Sequence, residues 1–321
     1  MAKMIPRERV LATFWREPTD RVPVNYLCNP DIDRRLKLHF GPREDDDEGL
    51  ANALGVDFRR TCAPYVGLRL HEDAPEPDVD ISADWGLRHK LIKHATGSYW
   101  EPWPCRIAEM TEDVAASYPM PSPDDFDYAA VSADCERFKD YAVSAHTEFE
   151  VMNWIGRHVG DEAMYIGLAT DDPGLMTFIR RYVAIKYEVL KRTLEAGRGG
   201  ISFLWMGEDL GTQHGPRISL DMFREKIRPI HQPFIDLAKS YELPVMIHSC
   251  GSCSWAFNEL IDMGITVIDT LQPGPLTWHR PTSRRPSAIA SRFTAVSVPP
   301  APSPRGLLTT PSTFVARHSR S

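Results

Sequence analysis

The sequence predicts an α/β protein, a (β/α)8 TIM barrel left incomplete at its C-terminus, with the eighth strand missing. Three observations predict it. Strand-like and helix-like segments alternate along the chain with the spacing of strand-loop-helix units. Runs such as "ISFLWMG" are continuously apolar, as a parallel strand buried on both faces should be. The chain has 321 residues and 42% hydrophobic content, enough for one large domain, and a single domain of that length favours a barrel over an open sheet.

The first element is a short amphipathic helix whose apolar face is Val10, Leu11 and Phe14, followed by a strand over Arg21–Leu27. Between Gly41 and Tyr128 the pattern is less regular. "GPREDDDEG" reads as a solvated loop, because ligand carboxylates usually come from separated positions. Asp84 to Pro104 reads as a hairpin lying over the barrel and carrying Trp85, Tyr99, Trp100 and Trp103. Those aromatics are either local packing or a lid over a substrate pocket, with Trp85 as the substrate-facing residue. "MYIGLAT", Met164–Thr170, reads as a strand leading into a helix over Leu175–Ala196, which stops at "AGRGG".

Ile201–Gly207 is the next strand. Ser219 is a fit N-cap for a helix with Phe223 and Ile227 on one side, and Pro229 restarts that helix, since proline is accepted in a first turn and costly inside. "PVMIHS" follows as a strand, Cys253–Met263 as a helix ended by Gly264, and Ile265–Leu271 as a further strand. In such folds the chemistry sits at the C-terminal ends of the strands.

Residues at those ends are therefore the candidates. His248 and Cys250 stand two apart where a strand stops, so both can project from one rim. Imidazole and thiolate together suit zinc, which would hold Cys250 deprotonated at neutral pH; the alternative is a core histidine beside an inert cysteine. Cys253 opens the next helix and is either packing or a further ligand. Glu208 and Asp209 follow "ISFLWMG", with Gln213 and His214 in the same loop. Their carboxylates could act as acid or base, bind substrate with Gln213 and His214, hold a ligand histidine, or cap the turn.

Composition excludes several classes. A net charge of -7 and a pI near 5.9 give no electrostatic reason for a nucleic-acid or anionic-membrane partner, so a small-molecule substrate fits better. No apolar run approaches the ~20 residues of a membrane span, and the N-terminus lacks a signal peptide's apolar core, so the expected location is cytoplasmic. The six cysteines are scattered except for the last pair, as in a reduced protein rather than a disulfide framework.

Five stretches together resemble the uroporphyrinogen decarboxylase superfamily: "PRERVLATFWREPTDRVPV", "DWG" at Asp84, "MPSPDDFD" at Met120, "GEDLGTQHGPRISLDMFREKIRP" and "PVMIHSCGS". Within it they look most like the branch related to zinc-dependent, corrinoid-linked methyltransferases. The resemblance runs from about Arg7 to Pro273 and implies a (β/α)8 barrel. It also implies a zinc site built from His248, Cys250 and a further cysteine near the C-terminus, methyl transfer to a thiol, and a corrinoid protein as partner. The decarboxylases proper are the alternative, with a role in porphyrin synthesis. They carry an arginine-rich motif after the first strand, where this chain reads "NYLCNPDIDRRLKLHFG", with Arg34 and Arg35 too late and no glycine beside them. A binding-only barrel is the third reading.

That third reading arises from the tail. Residues 1–275 read as the barrel domain. Residues 276–321 contain no Asp, Glu or Lys and are crowded with Ser, Pro, Thr and Arg, a composition that cannot bury a core and reads as disordered and strandless. No cysteine follows Cys253, so the last zinc ligand is missing along with the eighth strand. The break is as abrupt as a shifted reading frame would make it. A barrel open at both edges should self-associate through them.

Overall fold

The computed structural model describes residues 2–94, 97–103, 107, 109–147, 149–269 and the strand at 294–296. Its centre is a parallel sheet of six strands in the order β1, β5, β6, β7, β8, β9. These are β1 (Phe58–Thr61), β5 (Ala142–His146), β6 (Ile201–Gly207), β7 (Val245–His248), β8 (Val267–Asp269) and β9 (Thr294–Val296). A second sheet, antiparallel, joins β2 (Val79–Ile81), β3 (Arg88–His94) and β4 (Gly97–Pro102). The hairpin expected over Asp84–Pro104 is its β3–β4 pair. Eleven α-helices are described: α1 (Pro6–Phe14), α2 (Pro30–Phe40), α3 (Asp47–Ala53), α4 (Glu112–Ser117), α5 (Tyr128–Arg137), α6 (Met152–Val159), α7 (Asp161–Thr170), α8 (Pro173–Ala196), α9 (Leu220–Met222), α10 (Arg228–Ser240) and α11 (Phe257–Met263).

Side-chain alternation sorts the parallel strands into two faces. Phe58, Ala142, Phe203, Met246 and Val267 form one buried cluster with Val10 and Phe14 of α1. Val143, Leu204, Val245, Ile247 and Ile268, one residue out of step, join the larger cluster with the helices. Helix α8 shows why the helical layer holds: Asp172 caps it by accepting from Leu175 N, Pro173 sits in its first turn, and Leu175, Phe178, Ile179 and Tyr182 repeat on one buried stripe. As expected, Ser219 caps the later helical stretch through Met222 N, and Pro229 lies in the first turn of α10. A π-helical turn over Phe223–Ile227 joins α9 to α10.

Four sequence expectations need correction. Met164–Thr170 lies in α7, not a strand: Met164 and Leu168 are fully buried one helical turn apart, and Gly160 with φ +88° starts the helix ahead of Asp161 and Glu162. A short apolar run does not distinguish the two periods. Arg21–Leu27 forms no ladder, although Asp57 N donates to Val24 O at 2.8 Å. The helix expected from Cys253 begins only at Phe257, after a 3-10 turn at Ser254–Ala256. The tail read as strandless supplies β9, whose Thr294, Ala295 and Val296 pair in parallel with Val267, Ile268 and Asp269. The rest of 276–321, and Thr270 and Leu271 of the expected last strand, lie outside the described residues. The described parallel strands form an open sheet, and among the described residues no ladder joins β9 to β1.

Helix α1 is fixed to the sheet by buried charge. Arg9, 3% exposed, places Nη1 at 2.5 Å from Asp57, which is 0% exposed and precedes β1; its Nε reaches Asp20 at 2.6 Å. Arg21 and Val24 N complete the shell around Asp57 at 2.6 and 2.7 Å. Removing one partner of such a group leaves the other desolvated and unpaired, so Arg9→Ala should cost about 3–5 kcal/mol. A urea midpoint lowered to match, with Lys3→Ala shifting stability by less than about 0.5 kcal/mol, is the expected measurement. The Arg9 hydrogen bond, then Met4 N, holds the Asp20 carboxyl well below the usual carboxylate range. Its contribution is present above the unfolded carboxylate value of ~4 and lost as pH falls below it, so Asp20→Asn should flatten the acid limb of the stability curve.

Candidate metal centre and adjoining cavity

Two residues beyond Phe203, Met246 and Val267, on the same face, stand Trp205, His248 and Asp269. In-register pairing sets His248 beside Asp269, and the imidazole Nδ1 donates to Asp269 Oδ2 at 3.3 Å. That bond directs Nε2 the other way, toward Cys250 Sγ at 3.3 Å and Asp209 Oδ1 at 3.8 Å. One ligand atom from each of Asp209, His248 and Cys250 lies within 4.8 Å of the other two. Burial works against a charged His248, but Asp269 and Cys250 on its two nitrogens outweigh it and push its pKa up to about 10.

The chain brings these residues together through a close loop contact. After Cys250 the backbone turns at Gly251, φ +72°, where an added Cβ would lie 2.5 Å from the carbonyl carbon of Gly211. A Cβ on Gly211 would lie 2.2 Å from Ser252 N. Two glycines therefore let the loop after β6 press on the loop after β7. The contact seats Asp209 against Cys250, whose N donates to Oδ1 at 2.8 Å. Asn153 holds the second oxygen at 2.9 Å, and Arg217 holds the Asn153 carbonyl while donating to Tyr165 OH at 2.6 Å.

Zinc suits this set. Ligands bound to it at ~2.0–2.3 Å with tetrahedral geometry stand roughly 3.3–3.8 Å from one another, and the two separations measured from His248 Nε2 match. A carboxylate behind the histidine is the usual outer support of a ligand imidazole. Three protein donors would leave a fourth position of a tetrahedral ion for water or another ligand.

The other expected residues are placed apart. Cys253 is 1% exposed, its thiol is within 3.9 Å of Ser249 O, and burial pushes its pKa up to about 11. It is core packing, and Asp209 stands where a third ligand is needed. Glu208, expected as an acid or base beside Asp209, is 1% exposed and anchors a helix instead. It accepts from Val151 N and Met152 N at 2.8 and 3.0 Å, at the start of α6, and bonds His231 at 2.8 Å. Gln213 and His214 sit exposed in a turn held by Thr212, and neither lines the cavity or joins the three donors.

Beside the donors opens a cavity of about 580 Å³. Trp85, 4% exposed, is part of its wall with Trp154 and Trp205, and it also carries Glu150, Arg157 and Lys186. Burial, then the carboxylates of Glu208 and Asp209, raises the pKa of Glu150, which shares Asn153 with Asp209. Sequence reasoning missed Glu150 and Asn153 because it missed β5; it missed Asp269 although "ITVIDTL" places an acid at a strand end.

No sequence-family model and no curated protein matches the chain. Among solved structures, a methyltransferase from Methanosarcina mazei is similar, with a TM-score of 0.52 at 15% identity over 84% of this chain and 76% of that one. What the two share is the fold. No helix among the described residues is long and apolar enough to cross a membrane.

The three donors predict a single zinc site. Competition titration should give one ion per chain, with affinity reduced at least 10-fold by His248→Ala or Cys250→Ser and about 10–100-fold by Asp269→Asn. Cys253→Ser should leave it unchanged; loss of zinc in that variant would move the site.

Proposed function

We propose that this chain is a zinc-dependent methyltransferase of the uroporphyrinogen decarboxylase superfamily, built on a (β/α)8 barrel, that moves a methyl group from a methylated corrinoid, carried by a partner protein, to a thiol. The observation that carries the reading is the Asp209, His248 and Cys250 set at the C-terminal ends of parallel strands, separated by the Trp205 indole from a neighbouring cavity. The fold likeness to a methyltransferase agrees with it. The sequence resemblance to the corrinoid-linked branch supplies the donor and the acceptor.

Zinc bound there would supply the Lewis acidity that keeps an acceptor thiol deprotonated at pH 7. The reaction then forms a sulfur–carbon bond and breaks the methyl–donor bond, whose electron pair stays on the donor; the thiol proton leaves to solvent. Asp269 fixes the His248 ring, and Asn153 fixes Asp209, so both donors are oriented before substrate arrives. Trp205, 6.0 Å from the His248 ring, covers the donors on one side.

Methylcobalamin and a small thiol test the reading. The protein should convert them to thioether, stop with a chelator, recover with zinc, and fall at least 100-fold on His248→Ala. Chelator-insensitive carbon dioxide release from uroporphyrinogen would instead make it a decarboxylase. Inertness in both assays with zinc bound would leave a binding protein.

A further inference from the structure

The metal donors do not determine what enters the cavity beside them; its walls do. Three indoles line it. Trp85 meets Trp154 edge-on at 4.9 Å, Trp154 is stacked at 3.8 Å on Tyr182, and Trp205 is stacked at 4.0 Å on His146. Each ring is locked by another, so the cavity offers rigid flat surfaces at little entropic cost to a planar ligand. Trp205 also lies 6.0 Å from His248, which makes its indole the partition between cavity and metal donors.

The charges are arranged unevenly. Arg157, near the end of α6, is exposed and has no hydrogen bond or ion pair to any described residue, yet it lines the cavity. Lys186 reaches in from α8, with Nζ 3.3 Å from Thr147 O and 5.2 Å from the Trp85 ring. The field of these cations is felt inside: burial and then Arg157 lower the pKa of His89, and burial, Arg60 and Lys186 bring His146 down to about 4. Both histidines are neutral at pH 7. Of the two lining carboxyls, Asp84 accepts from Trp85 N at 2.8 Å, and Glu150 accepts from Asn153 at the metal side. Arg157 acts on the lining carboxyl of Glu150 only through space, with no hydrogen bond or ion pair to a described residue. A planar guanidinium in that state suits a carboxylate, which it can bind with two parallel hydrogen bonds.

We propose that the cavity takes an aromatic carboxylate, its ring between the indoles of Trp85 and Trp205 and its carboxylate on Arg157 and Lys186. The inference rests on reading this cavity as the substrate pocket of the metal centre, and it adds the class of small molecule that pocket selects. The volume of about 580 Å³ lies in the range of pockets that enclose small organic ligands.

Calorimetric titration of the full chain in chelator, where no metal can coordinate a carboxylate, tests it with 2-naphthoate and its neutral counterpart 2-naphthamide. Naphthoate should bind at least 10-fold more tightly than the amide, and the gap should narrow in high salt. Arg157→Met, at an exposed residue whose loss should leave the circular dichroism spectrum unchanged, should reduce naphthoate to the affinity of the amide. Lys186→Met should narrow the gap in part, and Trp205→Leu should weaken both ligands together. Equal affinity for the two probes, no binding of either, or an Arg157→Met variant that still prefers naphthoate overturns the proposal. Because the titration uses metal-free protein, its failure is distinguishable from loss of zinc-dependent methyl transfer, and either result can occur without the other.

Discussion

In-register pairing of β6, β7 and β8 is the constraint on which the rest depends. Leu204 opposes Val245, and Met246 opposes Val267, so every second residue across three strands falls on the same face at the same level. Trp205, Met246 and Val267 stand at one level of the face that Phe203 and Phe14 of α1 seal below, and His248 and Asp269 stand at the next level, opposite Gly207. A slip of one residue in β7 would turn His248 into the helical layer and bring Ile247 to the side of Asp209 and Cys250. The hydrophobic floor and the polar rim are thus set together, since the residues that bury the floor fix the register that builds the rim.

Buried carboxylates then lock the loops that carry the remaining donors. Glu208 is engaged by the first backbone donors of α6 and by His231. Because it follows β6 directly, it ties the end of that strand to the start of α6, and α6 carries Asn153 on its first turn. Asn153 in turn holds Asp209, the residue after Glu208. One acid therefore positions the helix that positions its neighbour. The same logic operates at the opposite end of the sheet, where Asp57 ties Arg9 of α1 and Arg21 to the start of β1. Unpaired, each of these charges would cost several kcal/mol, so each favours one arrangement of its surroundings over all others.

How much of this is legible in the sequence follows from the range of the interactions. His248 and Cys250 can be read because strand period and donor chemistry are both local, and Ser219 and Pro229 because caps and first turns are local too. Helix α7 escapes such a reading because "MYIGLAT" is apolar without a decisive period. Its helical nature is set by Gly160 before it and by packing of Met164 and Leu168 under α8. Asn153 and Asp269 become meaningful only when tertiary contacts over 56 and 21 residues bring them to Asp209 and His248. Glu208 illustrates the converse: an acid at a strand end has the local signature of catalysis, and only its distant partners reveal a helix-start role.

The choice of Asp209 over Cys253 as third donor has a chemical consequence. Gly251 turns the chain so that Cys250 faces the rim while Cys253, three residues on, enters the core, where burial keeps its thiol protonated at neutral pH. A carboxylate and a second thiolate would bring the same formal charge to a divalent ion. They differ in donation: the hard oxygen gives less electron density than sulfur, so an ion held by Asp209, His248 and Cys250 remains the stronger Lewis acid. Such an ion acts more forcefully on whatever fills the fourth position. The oxygen donor is also the one held in place by Asn153 and Arg217, groups that connect through Glu150 to the cavity wall. Asn153 thus touches both the Asp209 donor and the Glu150 carboxyl of the cavity wall.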